Sequence, residues 1–255
     1  MNASFFFSAI VLFLSVLTGA WIQAFLVKKQ NSLFKLMLSF SAAYLLALSL
    51  LHILPEVFVS MGKVAGWYIL GGFLLQVVLD YFSHGIEHGH HHHHHGGSNF
   101  LYGIMAALWI HAFIEGMPFG GNLSHVHHHA HEHEHGLEHM DFGNSLLLGI
   151  SLHKLTEGFV VAALFRTFGY QRFKLILALC VFALVAPAGA FFNNFAGQML
   201  GDGADSLTLP MLSILVGILL HVSTIILFEN DEHHKFNRSK FIAILSGILA
   251  ASLIC

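Results

Sequence analysis

The chain has 255 residues, of which 56% are hydrophobic and only 10% are Asp, Glu, Lys or Arg, with a formal net charge of -3 when His is neutral. A soluble domain carries about 25% charged residues. The composition therefore excludes a soluble globule, a disordered chain and a nucleic-acid binder, and it implies an integral protein of a lipid bilayer. His is the second anomaly, at 22 residues against 11 Lys and Arg together. Cys180 and Cys255 form no CxxC pair, so neither a disulfide framework nor a thiolate metal site is indicated.

A spanning helix needs about 20 apolar residues, because each adds about 1.5 Å across the hydrocarbon core. In chain order, apolar stretches bounded by charges and turn residues predict spans over 3–27, 34–55, 65–83, 100–121, 144–165, 175–200, 207–228 and 241–255. The first is charge-free. It resembles a secretory signal at Leu17-Thr-Gly-Ala20, but it lacks a positive n-region, is too long and is followed by lysines, which favours a retained helix. The second ends His52-Ile-Leu-Pro55-Glu56, the third carries Asp80, the fourth Glu115, and the fifth Lys154 and Glu157. The sixth contains Pro187 and Asn193-Asn194, the seventh His221, and the eighth is short.

An even number of spans puts both termini on one side. Lys28, Lys29, Lys35, Arg166, Arg172, Lys174, Lys235, Arg238 and Lys240 all fall on one face. The other face has only Lys63. Cations are retained in cytoplasmic loops, so both termini are expected outside. The predicted fold is an all-α integral membrane protein with one transmembrane domain over 1–255, a cytoplasmic His-rich loop at 84–99 and an external one at 122–143.

The inner loop carries His84, His88 and His90, His91, His92, His93, His94 and His95, followed by Gly96-Gly97-Ser98. Its internal position and the leading His84 and His88 argue against an engineered tag. The outer loop carries His125, His127, His128, His129, His131, His133, His135 and His139, interleaved with Glu132, Glu134 and Glu138. Such tracts bind Zn, Ni, Cu or Co loosely, without one geometry.

Charged groups in the bilayer are costly, at least ~2.5 kcal/mol each, and are functional by default. Span 4 reads His111-Ala-Phe-Ile-Glu115-Gly116, and span 5 reads His153-Lys154-Leu-Thr156-Glu157-Gly158. Both contain His-x-x-x-Glu-Gly. The four-residue spacing stacks His over Glu on one helical face, and the following Gly lets a neighbouring backbone approach. Two opposed faces on antiparallel spans, closing at Gly116 and Gly158, supply two imidazoles and two carboxylates to one divalent cation. A buried His–Glu hydrogen bond is the competing reading for one motif; the repeat on adjacent spans disfavours it. Lys154 stands in the place of a second cation or acts as a counter-ion to Glu115 or Glu157. His52 and Glu56 are candidate entrance residues. Asp80, His84, His221 and Glu229, with Asp231, Glu232, His233 and His234 after them, are candidate exit residues; interfacial caps or satisfied core groups fit these as well.

These residues resemble the ZIP (Zrt/Irt-like) family of metal transporters across nearly the whole chain. The resemblance rests on the paired His-x-x-x-Glu-Gly motifs, the span count, the inner His-rich loop and the His52-Ile-Leu-Pro-Glu56 end of span 2. It implies a 3+2+3 arrangement in which spans 1–3 and 6–8 are inverted repeats. It also implies metal held by His111, Glu115, His153 and Glu157, uptake towards the cytoplasm, and an elevator-like shift of a four-helix unit. Many members have Asn after the span 4 His and a carboxylate or Asn after the first span 5 ligand. Here those positions are Ala112 and Lys154, so one transported metal is expected rather than a binuclear pair.

The expected function is secondary transport of Zn2+, or of Fe2+, Mn2+, Co2+ or Cd2+, across the plasma (inner) membrane, by a protein that is not an enzyme and holds no prosthetic group. Ligands must be deprotonated to bind, so acid should weaken binding. A homodimer is the one protein assembly considered. Competing readings are an intramembrane zinc hydrolase, a metal exporter and a haem-binding electron carrier. No HExxH occurs within a predicted span; the one match, His131 to His135, lies in the outer His-rich loop, and a haem would leave Glu115 and Glu157 unexplained.

Overall fold

A backbone in hydrocarbon has no water to bond, so apolar stretches of this length satisfy their amides internally as helix. The computed structural model describes residues 3–26, 31–83, 98–121, 123, 141–199, 207–229 and 238–254. Among these the regular structure is helical. The α-helices are α1 (Ala3–Leu26), α2 (Asn31–Leu48), α3 (Leu54–Met61), α4 (Lys63–Ser83), α5 (Ser98–Gly116), α6 (Phe142–Thr167), α7 (Arg172–Met199), α8 (Thr208–Glu229) and α9 (Arg238–Ile254). Seven helical segments are long and apolar enough to cross a bilayer. The remaining one, α9, has 17 residues, about 25 Å at 1.5 Å per residue, and matches the short final span.

The second span differs from the expectation that it stops at Pro55. A π-helical turn, Ser49–Ile53, joins α2 to α3, and the helical run continues to Met61. Leu54 N–H donates to the Ser49 carbonyl, five residues back. That wider turn just ahead of Pro55 relieves the contact its ring would make with an α-helical carbonyl, so the proline is passed rather than obeyed. At the end of span 4, α5 tightens into a 3-10 turn over Met117–Gly120, where Pro118 has no N–H to continue the α ladder.

Outer faces are apolar. Phe6, Phe7, Ile10 and Leu14 of α1 and Trp67, Leu70, Leu74 and Tyr81 of α4 are all exposed. Contiguous exposed faces of this kind suit lipid, not water. Trp67 and Tyr81 stand near the two ends of α4, as interfacial aromatic residues do.

The interior holds two main clusters. One gathers Leu12 of α1, Leu48 of α2, Ala65 of α4, Ile150 of α6, Ala190 of α7, Leu215 of α8 and Ala251 of α9. The other gathers Ala20 of α1, Ile104 of α5, Phe165 of α6 and Leu175 of α7. The first therefore draws on the beginnings of α1, α4, α6 and α8 and on the ends of α2, α7 and α9. Successive spans alternate in direction.

Within the bundle, α1 packs along α6, α5 along α7, α4 along α8, and α2 along α9. Small residues make these crossings close, as in membrane bundles generally. A side chain at Gly19 would overlap the Leu155 backbone, and one at Gly158 would overlap Val16. The same reciprocal arrangement joins Gly116 to Ala186 and Gly189 to Phe113. It recurs between Gly72 and Ile214, and between Gly217 and Ile69. The sequence reading set Gly116 and Gly158 at a seam between spans 4 and 5. Instead each faces outward from that pair, to α7 and α1 respectively. Each His-Glu face can then turn to the middle while the glycine behind it anchors the helix.

Candidate metal centre

His111 and Glu115 lie one turn apart on α5, and His153 and Glu157 lie one turn apart on α6. All four are buried. His111 Nε2 is 3.2 Å from Glu115 Oε1 and 3.1 Å from Glu157 Oε1. His153 Nε2 is 3.7 Å from Glu115 Oε1 and 3.4 Å from Glu157 Oε1. The imidazole planes stand nearly edge-to-face, with centroids 5.8 Å apart. One donor atom from each residue lies within 4.8 Å of all the others.

These separations fit a metal ion. Bonds of about 2.0–2.1 Å in a tetrahedron give donor–donor edges of about 3.4 Å. Two nitrogen and two oxygen donors suit Zn2+ and also accept Fe2+, Mn2+, Co2+ or Cd2+. Among the described residues this is the group of His, Cys, Asp and Glu that meets that geometry.

The carboxylates divide their oxygens. Each Oε1 faces the imidazoles, and each Oε2 faces Lys154. Lys154 Nζ is 2.6 Å from Glu157 Oε2 and pairs also with Glu115 Oε2. It is a counter-ion to both carboxylates. Its ammonium also lies 5.9 Å from the centroid of Phe182 on α7, close enough for a cation–π contact. Lys154 has 12 residues of α6 before it and 13 after, roughly 18 Å of helix on either side. Snorkelling to an interface is therefore excluded.

One partner went unread in the sequence. Gln76, on α4 and fully buried, has Oε1 at 2.9 Å from His111 Nδ1. An amide oxygen only accepts, so Nδ1–H donates, and a neutral His111 then offers its Nε2 lone pair to a cation held between the carboxylates. The available signal was a lone amide in an apolar span, one turn before Asp80. On α6, the Thr156 hydroxyl donates to the His153 carbonyl at 2.7 Å.

Among the described residues the other candidates do not join this group. Glu56 is buried on α3 and accepts from Ser60 Oγ at 3.3 Å. His52 sits in the π-helical turn, and Asp80 is near the end of α4. His221, on α8, stands edge-on to Phe73 with centroids 5.1 Å apart. Of the sixth-span pair, Asn193 is buried, and Asn194 Nδ2 donates to the Gly120 carbonyl at 3.0 Å. His84, His88, His90 to His95 and His125 to His139 lie outside the described residues, as do Asp231 to His234 and the side chain of Glu229.

Fold and site together define an all-helical membrane protein with a buried His/Glu group at its centre that is able to hold a metal ion. No family model matches the chain, and no curated protein matches it.

Proposed function

We propose that the protein is a ZIP-type carrier of divalent transition metals, zinc foremost, and that His111, Glu115, His153 and Glu157 bind the transported ion. The observation that carries this reading is a complete four-donor group, with cross-helix separations of 3.1 and 3.7 Å, built by two equal motifs in the middle of the bundle. Four protein donors complete a tetrahedron. A catalytic zinc keeps a position open for water, so the donor count favours carriage over hydrolysis.

The helix pairing supports the 3+2+3 arrangement. Let spans 1, 2 and 3 exchange with 6, 7 and 8, and span 4 with 5. The packing of α1 on α6 then maps onto that of α7 on α5, and the packing of α4 on α8 maps onto that of α9 on α2. The same exchange carries His111 to His153 and Glu115 to Glu157. Phe5 and Ile254 pack against one cluster, which favours termini on one side. With the cationic bias of the loops, that side is the outside of the plasma membrane, and inward carriage is what the resemblance to ZIP transporters implies. In this scheme the 122–143 loop, His52 and Glu56 collect the ion, and Asp80, His221 and the 84–99 loop receive it.

Radiozinc uptake into proteoliposomes tests the proposal. Purified protein should accumulate zinc above protein-free vesicles, and His111→Ala combined with Glu115→Ala should reduce uptake to the vesicle level. Wild-type flux in that double variant, with equal incorporation, would overturn the assignment. Competition by Fe2+, Mn2+ and Cd2+ then ranks the substrates.

A further inference from the structure

We propose that Lys154 is a tethered counter-cation that lets the metal-free site cross the membrane by itself, so that the protein performs net uptake rather than obligatory exchange. The inference rests on the transport reading above and concerns the return half of the cycle.

It is carried by the partition of the carboxylate oxygens. Both Oε1 atoms face the imidazole nitrogens, while both Oε2 atoms face one ammonium. The ammonium therefore occupies the side of the carboxylate pair that an incoming ion does not need. It need not be displaced when the ion binds, and it remains when the ion leaves. A covalent cation on the centre of α6 travels with the site in both directions.

The charge arithmetic then decides. With Lys154, two carboxylates and one ammonium leave the empty site at -1, and a divalent ion brings it to +1. With an apolar side chain in place of Lys154, the empty site is at -2 while both carboxylates stay ionised, is less negative once protons bind, and is neutral when loaded. The electrostatic penalty for holding charge in a low-dielectric interior rises as the square of that charge. The two states of the lysine-bearing site are therefore equally penalised. Without the lysine, the empty site carries four times the unit penalty and the loaded site carries none. Where protons do not take the lysine's place, such a carrier would move only when loaded, exchanging metal for metal. The cation–π contact with Phe182 on α7 helps to keep the ammonium in place when the ion has gone.

Two flux modes in proteoliposomes separate the possibilities. Zero-trans uptake starts with no metal inside and needs the empty site to return. Zinc–zinc exchange starts with unlabelled zinc inside and does not. At alkaline pH, where the carboxylates stay ionised, Lys154→Met should lower zero-trans uptake at least tenfold while exchange persists, and Lys154→Arg should restore uptake. Lys154→Gln replaces the methionine variant if that one fails to fold, and zinc-induced thermal stabilisation reports folding. Zero-trans uptake at the wild-type ratio to exchange in a folded, charge-free variant would overturn the inference. So would loss of both modes in a variant that still binds zinc. Wild-type protein that carries zinc in neither mode sinks the transport reading instead.

Discussion

Each carboxylate at the centre is used from both sides, and that makes its two neighbours interdependent. Removing both Glu115 and Glu157 strands Lys154 in the interior with no anionic partner. Breaking a buried ion pair in this way is destabilising by about 3–5 kcal/mol. Glu115→Ala with Glu157→Ala should therefore unfold more readily than wild type in detergent melts, and adding Lys154→Met should recover most of the loss. A triple variant no more stable than the double would show that the lysine is satisfied some other way. Gln76 acts through His111. Partners of ligating imidazoles are worth about 10–100-fold in metal affinity, so Gln76→Leu should weaken zinc binding by that order. Gln76→Glu, which keeps an accepting oxygen, should restore it. The 15N signal of the His111 ring reads the tautomer directly, and unchanged affinity with an unchanged tautomer in Gln76→Leu would remove Gln76 from the role. The four members of the central group were legible because an i, i+4 pair on a helix is a local pattern. Gln76 was not, because its meaning depends on which span lies opposite His111.

At the level of elements, span edges were legible wherever an apolar run meets a charge or a turn. Thus α1, α6 and α7 begin and end within a few residues of the expected limits. Span 2 was not, because a π-helical turn has the composition of the α-helix around it, and Pro55 signals a stop only when the preceding turn is α-helical. The glycine crossings were half legible. Sequence marks where a backbone can approach, but the partner follows from the assembled bundle. They give a sharp test. At Gly158 an added Cβ falls on the Val16 carbonyl, whereas at Gly71 there is nothing within 4 Å. Overpacking of this kind costs typically 1–3 kcal/mol. Gly158→Val should therefore lower the thermal midpoint and disturb the α1–α6 pairing that holds His153 and Glu157, while Gly71→Ala should leave the midpoint unchanged. Equal effects at the two positions would mean that the crossing is not close.

For the whole molecule, the helical, membrane-spanning character was legible from the apolar runs, but the order in which helices pack was not. That order creates the buried site only in the folded bundle, which gives a thermodynamic handle. A ligand that binds the native state alone stabilises it by about 2.7 kcal/mol at a hundred times its Kd. Zinc at that excess should raise the unfolding midpoint by several degrees, and a chelator should reverse the shift. The His-rich loops are expected to take up zinc as well. Their histidines, however, are consecutive or nearly so in the chain, so the zinc they hold is expected to bind folded and unfolded chains alike. Binding to both states cancels in the stability. Replacing His90 to His95 together with His125, His127, His128, His129, His131, His133 and His135 by Ser should thus lower the number of zinc ions bound while leaving the shift in midpoint intact. His111→Ala with His153→Ala should do the opposite, abolishing the shift while most of the bound zinc remains. If the loop variant loses the shift and the double alanine variant keeps it, the metal that matters to the fold sits in the loops, and the central group is only a polar staple.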